Sequence, residues 1–159
     1  MKVTPQFSGR DIEKDLKQFA QDAFRVTLSE FIKVGLDFVE AARLKSKIDG
    51  GFDDRTGNLR SSIGFMIFFD GEEVHSDFQA SREGTDRTTG MERGRAYARE
   101  LGVQEARGWA IITVAGMEYA SWVEAKGYDV ISGSTLDGVS RIEEASRAID
   151  RAMAKWRRR

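Results

Sequence analysis

Ile63-Gly64-Phe65-Met66-Ile67-Phe68-Phe69-Asp70-Gly71-Glu72-Glu73-Val74-His75-Ser76-Asp77-Phe78 is the stretch that decides the fold. Two runs of strand length flank Asp70-Gly71, the residue pair favoured in a two-residue type I′ turn, where both central residues need positive φ. Such a turn predicts Ile67 opposite Val74, Phe65 opposite Ser76 and Ile63 opposite Phe78, which together make one mostly apolar face. The other face then sets Met66 beside His75 and Phe68 beside Glu73. It mixes large apolar with polar side chains, and Met66 and Phe68 are expected to belong to a contact surface between subunits.

Upstream, Ser8-Gly9-Arg10-Asp11 resembles a capping box. From there to about Lys47 no proline interrupts the chain, which predicts one helix of roughly ten turns, against the usual three. Its apolar stripe rotates. Ile12, Leu16, Phe19 and Ala23 share one side; Phe24, Leu28, Phe31, Ile32, Gly35 and Val39 share another. A straight helix drifts only about 20° per heptad, too little for that rotation. Two accounts stand: the helix bends within its own domain, or its first half rests on a neighbouring subunit. The second makes Ile12, Leu16 and Phe19 interface candidates.

Downstream, residues 80–91 are polar and contain glycine, as a loop does. Thr89-Gly90-Met91-Glu92 offers a second capping box, opening a helix to about Arg107 in which Gly94 and Gly102 each cost about 1 kcal/mol relative to alanine. The insertion 80–108 is therefore expected to be mobile and to order on contact with partners, with Met91 and Leu101 as its contact residues. Trp109–Ala115 is continuously apolar and predicts the central strand. Tyr128–Ser132 predicts a last strand. Ser134-Thr135-Leu136-Asp137 predicts the start of a final helix carrying Leu136, Val139, Ile142, Ala145, Ile149, Ala152, Met153 and Trp156 at helical spacing. The expected fold is α+β in a single domain over 1–159: long N-terminal and C-terminal helices on a mainly antiparallel sheet of about four strands, with an inserted loop-helix.

With 25 Lys and Arg against 26 Asp and Glu, the net charge of −1 gives no global attraction to DNA or to an anionic membrane. The absence of cysteine excludes disulfides, thiolate catalysis and cysteine-ligated zinc. No apolar run approaches the roughly 20 residues of a membrane span, and the polar N-terminus has no signal-like region. A chain made and used in a cytoplasm, with no membrane partner, is the expectation. Chemistry is equally sparse. His75 is the only histidine, and the acids Asp53, Asp54, Asp70, Glu72, Glu73 and Asp77 lie at turns or strand margins, where turn geometry and solvent suit them. No phosphate loop, dinucleotide glycine pattern, nucleophile elbow or zinc-protease helix occurs. No catalytic, cofactor or metal site is expected. The basic end, Lys155-Trp156-Arg157-Arg158-Arg159, suits a helix C-terminus by its charge. It also supports an alternative reading as a nucleic-acid-binding accessory protein.

Two blocks remain: Asp54-Arg55-Thr56-Gly57-Asn58-Leu59-Arg60-Ser61-Ser62-Ile63 and Met117-Glu118-Tyr119-Ala120-Ser121-Trp122-Val123-Glu124-Ala125-Lys126-Gly127. The positions Thr56, Gly57, Leu59, Arg60, Ser62 and Ile63, followed by Tyr119, Ala120, Val123, Glu124 and Gly127, resemble the minor tail component or tail-completion family of lambdoid and related tailed phages. The element order agrees with the resemblance. In this chain the segment 80–108 is longer than the family's connection, and Ala125-Lys126-Gly127 follows Glu124 where an aromatic residue and glycine are usual. The resemblance implies a non-enzymatic virion subunit without cofactor. It would form a ring, with a hexamer among the orders open to it, at the head-proximal end of the tail, touching tail-tube and head-connector proteins. Its places would be the virion and, during assembly, the host cytoplasm, and the Arg157–Arg159 tail could approach DNA transiently. The block residues are expected to hold the fold rather than make contacts, with Tyr119, Trp122 and Val123 seating a short helix on the sheet.

Overall fold

The computed structural model describes residues 8–45, 50–104 and 107–156. Helix α1 (Gly9–Leu44) starts at a formed capping box: the Ser8 amide donates to the Asp11 carboxylate at 2.8 Å, and the Asp11 amide donates to Ser8 Oγ at 3.3 Å. α2 (Asn58–Ser62) leads directly into β1 (Ile63–Phe69), the turn and β2 (Glu72–Phe78). α3 (Thr88–Gly102), β3 (Trp109–Ala115), α4 (Ala120–Ala125) and α5 (Ser132–Trp156) follow. The α+β class and the long first and last helices agree with the sequence. No described helix is long and apolar enough to cross a membrane.

The described strands form one antiparallel sheet in the order β2-β1-β3. β1, not Trp109–Ala115, is central, because β1 alone is buried along nearly its whole length while β3 is half-exposed at an edge. Asp70 (φ 50°) and Gly71 (φ 81°) both occupy the left-handed region, as a type I′ turn requires. The register matches expectation next to the turn, with Phe68 opposite Glu73 and Phe69 opposite Glu72. It then slips: Ile67 faces His75, Met66 faces Ser76 and Phe65 faces Asp77, leaving Val74 as the extra residue of a bulge. The fourth strand expected at Tyr128–Ser132 does not form. Residues 128–131 run as irregular chain into α5, which begins at Ser132 rather than Ser134.

Both faces of the sheet are covered. On one, Ile63, Phe65 and Ile67 join Phe38, Val39 and Ala42 of α1, with Phe52, Leu59 and Val130. On the other, Met66, Phe68 and Val114 join Phe78 and Ala98, flanked by Met91 and Leu101. This second core corrects an expectation. Met66 (0% exposed) and Phe68 (2%) are not an open contact surface, because α3 lies over them. Met91 and Leu101 turn toward the same core, so the insertion is a packed layer of the fold rather than a segment without one. Its glycines explain how a helix so poor in large apolar residues can pack. Gly94 lies against the Ser62 carbonyl and Gly116, and Gly102 lies against the Phe68 ring, too close for a Cβ at either position. The helix-propensity cost of glycine is offset by backbone-to-sheet contact.

The rotating stripe of α1 also has an internal cause. Phe24 packs on Phe69 and Trp109, and Phe31 on Trp109, so the middle of the helix meets the sheet. Phe19 instead packs on Trp156 of α5, with ring centroids 4.5 Å apart. Two partners within one chain require two faces. α5 runs antiparallel along α1, tied by the Phe19–Trp156 contact at one end, an Asp37–Arg141 ion pair midway, and Lys45–Asp129 at 2.6 Å near its start. The expected end of α1 near Lys47 and the Arg157–Arg159 tail lie outside the described residues.

Candidate interaction surface

The first block is a junction. Gly57 (φ 80°) makes the bend into α2, and the Asp54 carboxylate accepts from the amides of Gly57 (2.9 Å) and Arg60 (2.7 Å), capping that single turn. Asn58 Oδ1 accepts the Gly90 amide at 2.8 Å, and Asp86 accepts the Thr89 amide at 3.4 Å. The start of α3 is thus capped from outside, and the expected Thr89–Glu92 box does not form. Ser61 Oγ accepts the Ser81 amide at 2.8 Å, and the Ser62 carbonyl accepts the Gly116 amide at 3.2 Å. The Arg60 guanidinium donates to the carbonyls of Arg43, of Lys45 (2.9 Å) and of Phe52 (3.1 Å), while lying 4.8 Å from the centroid of the Phe52 ring. These include the carbonyls that a helix end leaves without partners.

The second block works the same way at the same end of the helix pair, where α5 starts beside the end of α1. Glu124 Oε1 accepts from the amides of Ile131 (2.9 Å) and Ser132 (3.0 Å) and from Ser132 Oγ (2.9 Å), and Asp129 accepts the Gly133 amide at 3.1 Å. Two carboxylates therefore satisfy the first turn of α5, which is why residues 128–131 turn into a helix instead of pairing as a strand. Gly127 (φ 88°) ends α4 as expected. Seating α4 falls to buried Ala120 and half-buried Val123. Tyr119 (40% exposed) and Trp122 (59%) stay at the surface, with the Lys126 ammonium 3.8 Å from the Trp122 ring centroid.

Burial would raise the Glu124 pKa, but the hydrogen bonds from Ile131, Ser132 and Val130 outweigh it and hold the carboxyl below its ordinary 4.5. A lowered folded-state pKa gives stability that is complete above the unfolded value and is lost as pH falls through the folded one. Glu124→Gln is accordingly expected to cost about 1 kcal/mol at neutral pH, as for loss of a helix cap. Urea titrations of variant and parent should converge as the pH drops below about 4.5. A gap that stayed constant into acid would contradict the capping role.

Asp54, Asp70 and Glu73, three of the acids noted in the sequence, are engaged structurally. Asp70 accepts the Gly108 amide at 2.8 Å, and Glu73 pairs with Arg99 at 2.8 Å. His75 lies against the Phe65 ring with centroids 5.6 Å apart. Among the described residues, no group of three or more His, Asp or Glu could hold a metal ion.

What stands out is apolar surface. Ile12 (46% exposed) and Leu16 (61%) lie on the α5-facing side of α1, two turns and one turn beyond the level of Trp156, so the described part of α5 does not cover them. Phe19, the third candidate there, is half-buried on Trp156. At the other end of the helix pair, Leu136 (78%), Val139 and Ile142, three of the apolar residues at helical spacing on α5, form an exposed stripe. Its signal was present in the sequence. These residues step by three, and uniform steps of three drift around a helix, away from the side that buries Ala145. A groove of about 780 Å3 runs between α1 and α5 near Trp156, with half-buried Val26, Ala152 and Met153 inside and exposed Arg25, Arg151 and Lys155 around it. Comparison with family models, curated proteins and solved structures gives no match.

Proposed function

We propose that this chain is a non-enzymatic structural subunit of a tailed-phage virion, assembling as a ring at the head-proximal end of the tail and joining it to the head. The observation that carries the proposal is the pair of exposed apolar stripes, Ile12/Leu16 and Leu136/Val139/Ile142, at opposite ends of one antiparallel helix pair. At about 1.5 Å per residue, Leu136 and Trp156 are some 30 Å apart along α5, so the two stripes are separate surfaces. A joining subunit needs two: one for its own copies, and one for the tube or connector beneath it. Contacts between unlike surfaces of identical subunits close into rings when the rotation allows. The resemblance of the two blocks to the tail-completion family supports the same reading, and their roles as helix caps fit scaffold positions. Light scattering over a range of concentrations, with negative-stain imaging after adding tail tubes, tests it. Concentration-dependent assembly and decoration of tube ends is expected. A persistent monomer that ignores tubes would overturn the proposal.

A further inference from the structure

A closed ring requires one surface of each subunit to fit a different surface of the next. The tip of α1 is a convex amphipathic ridge: Ile12 and Leu16 at its crest, Glu13 on one margin and Asp15 on the other. The groove between α1 and α5 has the opposite character, with Val26, Ala152 and Met153 inside and Arg25, Arg151 and Lys155 on its rim. Among the described lining residues the one acid, Asp22, is bonded to Arg25 at 2.5 Å, and on the tip Glu13 is bonded to Lys17 at 2.7 Å, so Asp15 on the tip and Arg151 and Lys155 on the rim carry the charge match. Shape and charge thus match between two parts of one chain. They cannot meet within a subunit, because the tip continues the same rigid helix that forms one wall of the groove.

We propose that the α1 tip of one copy docks in the α1/α5 groove of the next copy, a pairing that rests on the ring reading above. Ile12 and Leu16 enter as the i and i+4 anchors of a helix in a groove. Asp15, with Glu13 of the Glu13–Lys17 pair beside it, then faces Arg151 and Lys155 across the contact, while Arg25 stays held by Asp22. The side of α1 that carries Ile12 and Leu16 is the side that α5 occupies farther along, at Phe19 and Asp37. The tip therefore presents a surface already suited to a helix, and a neighbouring helix pair completes it. The Leu136/Val139/Ile142 stripe is left free for a different protein. Charged rims of this kind govern partner choice and association rate more than raw affinity.

Charge reversal in the full-length chain tests the pairing, because all five charged residues are exposed and none holds the core. Two variants are made: Glu13→Arg with Asp15→Arg on the tip, and Arg151→Glu with Lys155→Glu on the groove. Sedimentation velocity is expected to show each variant associating about tenfold or more weakly than the parent, with unchanged circular dichroism and melting temperature. An equimolar mixture of the two should recover association, since a basic tip then meets an acidic groove. Variants that associate like the parent, or a mixture no better than either alone, would overturn the docking while leaving ring assembly by another surface intact. A parent chain that stays monomeric at every concentration, with or without tail tubes, would overturn both.

Discussion

Phe68→Ala is expected to lower the unfolding free energy by roughly 3–5 kcal/mol, the range for truncating a fully buried aromatic. Phe68 lies between β1 and α3, in contact with Gly102 and in one cluster with Met66, Phe78, Ala98 and Val114. Removing its ring empties the center of the second core, and α3 cannot settle into the space. Its glycines already bring its backbone against Asn58, Ser62 and Gly116, so the helix has no further travel toward the sheet. At about 2–4 °C per kcal/mol for a domain of this size, the melting temperature should fall by roughly 10 °C. Hydrogen exchange should rise first in α3. The variant that remains folded should keep the parent's association behaviour, because Phe68 does not reach the surface. A loss below about 1 kcal/mol together with failed assembly would return this face to the role of an intersubunit contact.

That outcome bears on how much of the molecule could be read from its sequence. Elements governed by local chemistry were legible: the Ser8 capping box, the uninterrupted helix, the positive-φ Asp70-Gly71 turn and the stop at Gly127. Each is fixed by a few adjacent residues. What could not be read depends on contacts across long sequence separations. Glycines in α3 looked like weaknesses because the sequence does not show that they touch Ser62, Gly116 and Phe68. The polar members of the Met66/Phe68 face suggested exposure, yet the Val74 bulge shifts their pairing and a third layer covers the apolar ones. The 128–132 segment has strand-like composition, but Glu124 takes the amides of Ile131 and Ser132 and Asp129 takes that of Gly133, which starts a helix. The surface of the proposed docking divided in the same way. Ile12 and Leu16 were visible as a stripe out of register with the rest of α1, whereas the groove that complements them exists only once α5 lies beside α1.

Arg60 provides the sharpest test of the junction. Arg60→Ala is expected to cost roughly 3–4 kcal/mol, since hydrogen bonds from a charged donor contribute about 1.5–3 kcal/mol each and are not additive. The single guanidinium satisfies carbonyls from Arg43, Lys45 and Phe52, so its loss strands acceptors at the end of α1 and in the chain beyond it. It also removes the cation from the face of Phe52, itself only 3% exposed. Arg60→Lys separates charge from geometry. An ammonium keeps the positive charge but lacks the planar fork that reaches three acceptors at once, and it should recover less than half of the loss. Chemical denaturation measures both variants, and hydrogen exchange locates the damage, which should concentrate in the last two turns of α1. Because Lys45 also pairs with Asp129 at the start of α5, fraying there should loosen the pairing of the two long helices. Both walls of the α1/α5 groove depend on that pairing, so under the proposed docking Arg60, more than forty positions from the tip, would influence association without touching a partner. Full stability in Arg60→Lys would show instead that charge alone suffices, and that the fork geometry is incidental.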